Sequence, residues 1–135
     1  MDVMKISASA LDVEGQRLQI IALNLANMNS TRVTGGGSFQ PLRLYSGPNV
    51  PFGAHLNGEA QGVKVVSVEP MENGVRLAYE PNHPDANDRG YVAYPNIDHA
   101  GEMTLMIRTS RVYEANLAVL GIAHQMYNRA LEMAR

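Results

Sequence analysis

The chain of 135 residues has no cysteine, which excludes disulfides and thiolate metal sites and fits an extracytoplasmic life without requiring one. No run approaches the roughly 18 apolar residues that a membrane span needs. Charge is scarce as well. Asp, Glu, Lys and Arg make up 18% of the residues, against about 25% in an average domain, and that shortage points to surface covered by something other than water. The net charge of −2 gives no electrostatic case for nucleic acid or an anionic membrane. Asp2, Lys5, Asp12, Glu14 and Arg17 interrupt any signal-peptide apolar core, so the general secretory route is not expected. The length suits one domain with a modest core.

What is present in strength is helical periodicity at both ends. Met103, Met106, Ser110, Tyr113, Leu117, Leu120, His124, Tyr127, Leu131 and Ala134 are spaced alternately three and four apart, and eight of the ten are apolar or tyrosine. That is a heptad seam without proline. Asp98 is the expected N-cap, Glu102 sits in the first turn where the helix dipole favours an acid, and Arg129 and Arg135 lie near the opposite end. A helix over 100–135 would be about 54 Å long, longer than a globule of this size is wide, roughly 30–35 Å. At the other end Met4, Leu11, Leu18 and Leu25 recur every seven residues, with Ala8, Gly15 and Ala22 three positions before the last three. The pattern stops at Asn27, Asn29 and Ser30, which compete with helix, and at Gly35, Gly36 and Gly37. Ile21, Ile107, Val119 and Ile122 fall off the shared seams. A small intramolecular core is the plain reading of these surplus apolar faces; burial against neighbouring molecules is the reading their length favours.

Residues 38–60, with Pro41, Pro48 and Pro51, read as an irregular loop carrying one short strand at Phe39–Tyr45. The stretch 62–69 is strand-like, and 75–80 alternates Val75, Leu77 and Tyr79 on one face. Asn73–Gly74 between them predicts a hairpin, 80–90 a turn-rich loop, and 91–94 a third strand. The expected fold is α+β: two long terminal α-helices pairing as a coiled coil, with a small central insert containing a β-hairpin. The terminal helical domain comprises 1–30 and 96–135, and the insert 31–95.

Candidate chemistry is thin. "DANDRG" at 85–90 resembles the start of a calcium loop, but Arg89 takes the fifth position and Asn96, not glutamate, the twelfth, so a capped turn is the plainer reading. His99 and Glu102 are two potential ligands where catalytic zinc needs three. His55 and His83 have no partner pattern, and His124 on the seam suits a polar residue that fixes register. "GGG" at 35–37 lacks the lysine of a phosphate loop. Tyr113 and Tyr127 are packing residues with a polar tip. No catalytic, metal or cofactor-binding residues are assigned, no enzyme is expected, and no nucleic acid or small-molecule substrate. The expected assembly interface is Met4, Leu11, Leu18, Ala22, Leu25 and Asn27 from the first helix. The second helix contributes Met103, Met106, Tyr113, Leu117, Leu120, His124, Tyr127 and Leu131.

"NLANMNST" after an amphipathic start resembles the flagellar axial proteins of bacteria, the rod and hook proteins. "GVKVVSV", "YEPNHPDANDRGYVAYPNID" and "EMTLMIRTSRVYEANLAVL", in that order and spacing, are similar to the short proximal-rod members of that family. The stretch 31–60 departs most from the pattern. The resemblance implies a structural subunit, exported by the flagellar type III apparatus without cleavage. It would polymerise with copies of itself and sister rod proteins into a hollow drive shaft through the periplasm, its terminal helices forming the inner layer. The alternative reading is a soluble helical adaptor or export-related module that grips a single partner through the same seams.

Overall fold

Leucines at seven-residue spacing and an absence of proline carry the first helix, α1, through Asp2–Ala26. The second, α2, runs His99–Met133 over 35 residues, about 52 Å at 1.5 Å per residue. Between them lie four strands, β1 (Leu42–Pro48), β2 (Val63–Pro70), β3 (Val75–Tyr79) and β4 (Tyr91–Pro95). The computed structural model describes residues 2–50 and 61–134; the loop expected at 51–60, with Pro51 and His55, and the helix-end Arg135 lie outside them. The architecture is α+β, with two helices packed along one another and flanking two small antiparallel sheets.

The helices are antiparallel. Asn24 meets Glu102 at one end of the pair, and Tyr113 lies beside Gly15 further along. On α1 the covered stripe is Ser7, Leu11, Glu14, Leu18, Ile21 and Leu25, buried or half-buried at alternating spacings of four and three. The leucine row is therefore one core position, as its periodicity predicts. Its companion is the set four residues earlier, Ser7, Glu14 and Ile21; of the small-residue row Ala8 and Ala22 are exposed, and Gly15, beside Tyr113, is half-buried. Ile21, expected off the seam, is only 1% exposed. Either companion row completes a heptad, and the larger side chain of Ile21 releases more apolar surface from water when it takes the inner place.

The strands pair differently from expectation. The hairpin between 62–69 and 75–80 does not form: β2 pairs with β1, from Leu42 opposite Pro70 to Pro48 opposite Val63, with a bulge at Tyr45/Ser46. β3 pairs with β4, from Val75 opposite Pro95 to Tyr79 opposite Tyr91. Asn73 does adopt the left-handed conformation, φ 52°, which asparagine tolerates, but the turn is a corner between the two sheets. Asn96 clasps it, its backbone N–H donating to Gly74 O (2.8 Å) and its Nδ2 to Asn73 O (2.9 Å). The first strand starts at Leu42, three residues later than expected, because Pro41 has no N–H to offer a ladder.

Asp98 is the N-cap of α2 by backbone conformation, yet its side chain makes no capping bond. Glu102 is in the first turn as expected. The last turn, short of Ala134, contains no basic residue; Arg129 stands one residue before it.

Candidate assembly surface

Polar side chains of α1 hold the insert against the helix pair. Asn24, fully buried, reads the edge of β1 like a short strand: its Nδ2 donates to Leu42 O (2.8 Å) and its Oδ1 accepts from Leu42 N–H (2.9 Å). Seven residues earlier Arg17 donates to Leu44 O (3.2 Å) and to Ser46 Oγ (2.9 Å), while Glu14 accepts from its Nε (3.1 Å). Arg43 of β1 reaches the opposite helix and donates to Glu102 Oε1 (2.6 Å). Glu102 is 4% exposed, so its charge is placed by this partner and not by the helix dipole alone. Ser9 Oγ accepts from Val63 N–H (3.1 Å), which ties the start of β2 to α1.

A second tie joins the turn-rich loop to the chain leaving α1. Asp85 accepts from Thr31 Oγ1 (2.8 Å) and pairs with Arg32 (2.9 Å). Asn87 Oδ1 accepts from the N–H groups of Arg89 and Tyr91, both at 2.9 Å. The oxygens that suggested a calcium loop are thus occupied in shaping and anchoring a turn, and no three potential metal ligands cluster among the described residues. His83 Nδ1 accepts from Asp85 N–H (3.0 Å). Nearby, Tyr94 donates to Glu80 (3.1 Å) and lies under Arg76. Partial burial, reinforced by the Glu80 carboxylate, raises the Tyr94 hydroxyl above its ordinary value of 10.0, with Arg76 pulling the other way.

The residues expected to form an interface divide into four groups, Asn27 alone being the last. Leu11, Leu18, Leu25, Tyr113 and Leu120 are half-buried on the covered stripes of the helix pair, with Met4 and Met106 half-buried beside them. Ala22, Met103 and Leu117 are exposed. His124, on the row of Met103 and Leu117, is exposed with them, whereas Tyr127 and Leu131 lie beyond α1: counted along the antiparallel pair from Tyr113 and Gly15, the start of α1 comes level with about Met126. From His124 to Met133 every residue of α2 is exposed. Asn27 turns inward on its own chain end, donating to Leu23 O (2.9 Å) and accepting from Ser30 (3.2 Å). The expectation missed Asn24, Arg17 and Arg43. The one sequence signal was a polar residue recurring on a leucine face, and it names no partner.

Among the described residues, Pro41 and Pro95 aside, the buried apolar side chains are only Val13, Ile21, Leu44, Val50 and Val92. Against these five, twenty large apolar side chains are exposed, half of them on α2, including Ile107, Val119, Ile122 and Met126. The second sheet adds a face of Leu77, Tyr79 and Tyr91, the two tyrosine rings edge to face at 5.3 Å. So much apolar surface in one small chain marks contact with other molecules.

Comparison with known proteins gives that surface a context. Residues 88–133 match the family model described as "Flagellar basal body rod FlgEFG protein C-terminal". Over its whole length the chain is similar to proteins named flagellar basal-body rod protein FlgC. The relative from Salmonella typhimurium is 38% identical over 137 residues, covering 100% of this chain and 98% of the other. That from Escherichia coli O157:H7 is 34% identical over 135 residues, again 100% and 98%. That from Borreliella burgdorferi is 33% identical over 141 residues, covering 95% and 93%.

Proposed function

The chain belongs to the FlgC family of flagellar basal-body rod proteins, and on that premise we propose how this structural subunit is built into the rod. The family is one of structural proteins and not of enzymes. The terminal helical unit, 1–30 and 96–135, polymerises as a coiled-coil layer, and the insert, 31–95, selects neighbours. Its partners are further copies of the chain and sister rod proteins. It reaches the periplasm through the flagellar type III apparatus, without a cleaved signal peptide.

One observation carries this reading. The stripe by which α2 covers α1, through Met106, Tyr113 and Leu120, continues past the start of α1 at Tyr127, and Leu131 follows beside it on the exposed row of Met103 and Leu117; both are about half exposed. An apolar stripe that outruns its own partner needs a helix from another subunit. The off-stripe residues Ile107 and Ile122, also about half exposed, provide a second lateral face. A rod subunit requires several different faces in heterologous, non-closing contact.

The test is complementation of a strain lacking the protein with Leu131→Asp and Ile122→Asp variants. Each charge lies in an exposed position of the lone chain, so folding and export into the medium or periplasm are expected to persist. Rod assembly and swimming are expected to fail, because the charge would be buried between subunits. Normal swimming by both variants would overturn the assignment of these faces.

A further inference from the structure

Beyond Val63, whose N–H goes to Ser9, the outer edge of β2 is open among the described residues. β1 gives its own outer edge to α1, since Leu42 and Leu44 spend their backbone groups on Asn24 and Arg17. Strand alternation then directs Arg43 and Tyr45 toward β2, where they face Glu69 and Ser67, so the N–H and C=O of Val68 point away from the sheet. Beyond the bulge Gly62 O accepts from Asn49 N–H on the β1 side. Val63 accordingly points outward, where Ser9 meets it, and Val65 shares its direction. No strand pairs with this edge among the described residues. Val66 is 64% exposed and Val68 is exposed beside it. Such an edge, β-branched and free of internal proline, is a template for another strand.

The segment "VKVVSVEP" also carries a charge pattern that selects its partner. Turned antiparallel on itself about the point between Val66 and Ser67, it sets Lys64 opposite Glu69 of the partner subunit, and Glu69 opposite Lys64 of the partner subunit. The same register sets the outward groups of Val65 against those of Val68 of the partner subunit, in both halves. Both charges are exposed and neither forms an ion pair among the described residues. The nearest competitor for Glu69 is Arg43, directly opposite within the sheet, and Glu102 already holds it at 2.6 Å. Lys64 faces only Gly47.

We propose that the free subunit forms a two-fold dimer by pairing β2 with β2 of a second copy, joining the two small sheets into one of four strands. Four strands are far better able to persist in water than two. The pairing does not rest on the rod reading, but its consequence does. Subunits of a polar tube all point the same way, so a two-fold contact has no place between them. The dimer is a form of the unassembled protein that competes with incorporation.

The experiment uses the full chain and its exposed charges. Sedimentation across a dilution series is expected to show a monomer–dimer equilibrium. Lys64→Glu alone and Glu69→Lys alone each turn both cross-strand attractions into repulsions and are expected to weaken the dimer about tenfold or more. The double exchange, Lys64→Glu with Glu69→Lys, is expected to restore it. Circular dichroism identifies any variant that has lost its fold. Independently, in a chain without native cysteine, mixing Val66→Cys with Ser67→Cys protein is expected to give disulfide-linked pairs faster than either variant alone. A wild type that stays monomeric, a dimer indifferent to the single exchanges, or a double exchange that fails to restore it would each overturn the proposal.

Discussion

Replacing Asn24 with alanine is expected to detach the insert from the helices without disturbing α1 itself. Asn24 is a helix residue whose side chain is fully buried and makes both bonds to the backbone of Leu42, at 2.8 and 2.9 Å. Its third contact, to Glu102 at 3.4 Å, is long and adds little. A neutral hydrogen bond nets about 1 kcal/mol, and a buried group left unpaired costs about 1–3 kcal/mol. Leu42 is half-buried, so water recovers part of that cost, and the expected loss is about 2–4 kcal/mol. In native-state hydrogen exchange the Leu42 amide should therefore exchange roughly 30- to 700-fold faster, at about 1.4 kcal/mol per tenfold. The control is Asn27→Ala, the other asparagine of "NLAN". Its side chain donates only to the exposed carbonyl of Leu23 (2.9 Å) and accepts from Ser30, so about 0.5 kcal/mol is expected. If the two variants cost the same, or if the Leu42 amide keeps its protection in Asn24→Ala, the assignment of Asn24 as the tie between helix and sheet is wrong.

Ile21→Ala, at the centre of the covered stripe, should lower the stability of the lone chain by about 2–5 kcal/mol in denaturant titration, whereas Leu117→Ala, 53% exposed, should leave it within about 1 kcal/mol and act instead on assembly and swimming. Gly90→Ala should destabilise by about 1–3 kcal/mol, since Gly90 has φ +79° and an added Cβ would sit 2.9 Å from the Tyr79 ring; an unchanged denaturation midpoint would contradict the positive-φ argument. Tyr94 should ionise above the ordinary tyrosine value, read as phenolate absorbance against pH, and Glu80→Gln should bring it down. Because its folded value is raised, its contribution to stability is complete below the ordinary value and is lost as pH rises through the folded value.

The sequence by itself determined the helices and the need for company. Leucines at positions 11, 18 and 25, and the seam from Met103 to Leu131, are local repeats, and a heptad repeat states its own secondary structure. The motif order from "NLAN" to "EMTLMIRTSRVYEANLAVL" was enough to place the chain beside the rod and hook proteins. Helix length alone showed that α2 outruns anything one short chain can wrap around it. Which rows meet was decided only in three dimensions. Ala8, Gly15 and Ala22 complete a heptad with the leucines as well as Ser7, Glu14 and Ile21 do, and the choice turns on what lies opposite, which periodicity does not contain. The strand pairing is of the same kind. Asn73–Gly74 specifies a turn, which Asn73 makes, yet a turn does not specify that its two flanking strands pair. β2 goes to β1 because Asn24 and Arg17 hold β1 along α1, through contacts between residues 18 to 29 positions apart. The ion pair of Arg43 and Glu102 spans 59 positions. Each of these side chains reads as an ordinary surface residue until the fold brings its partner within reach, because a polar group's role is set by its neighbour and not by its own spacing.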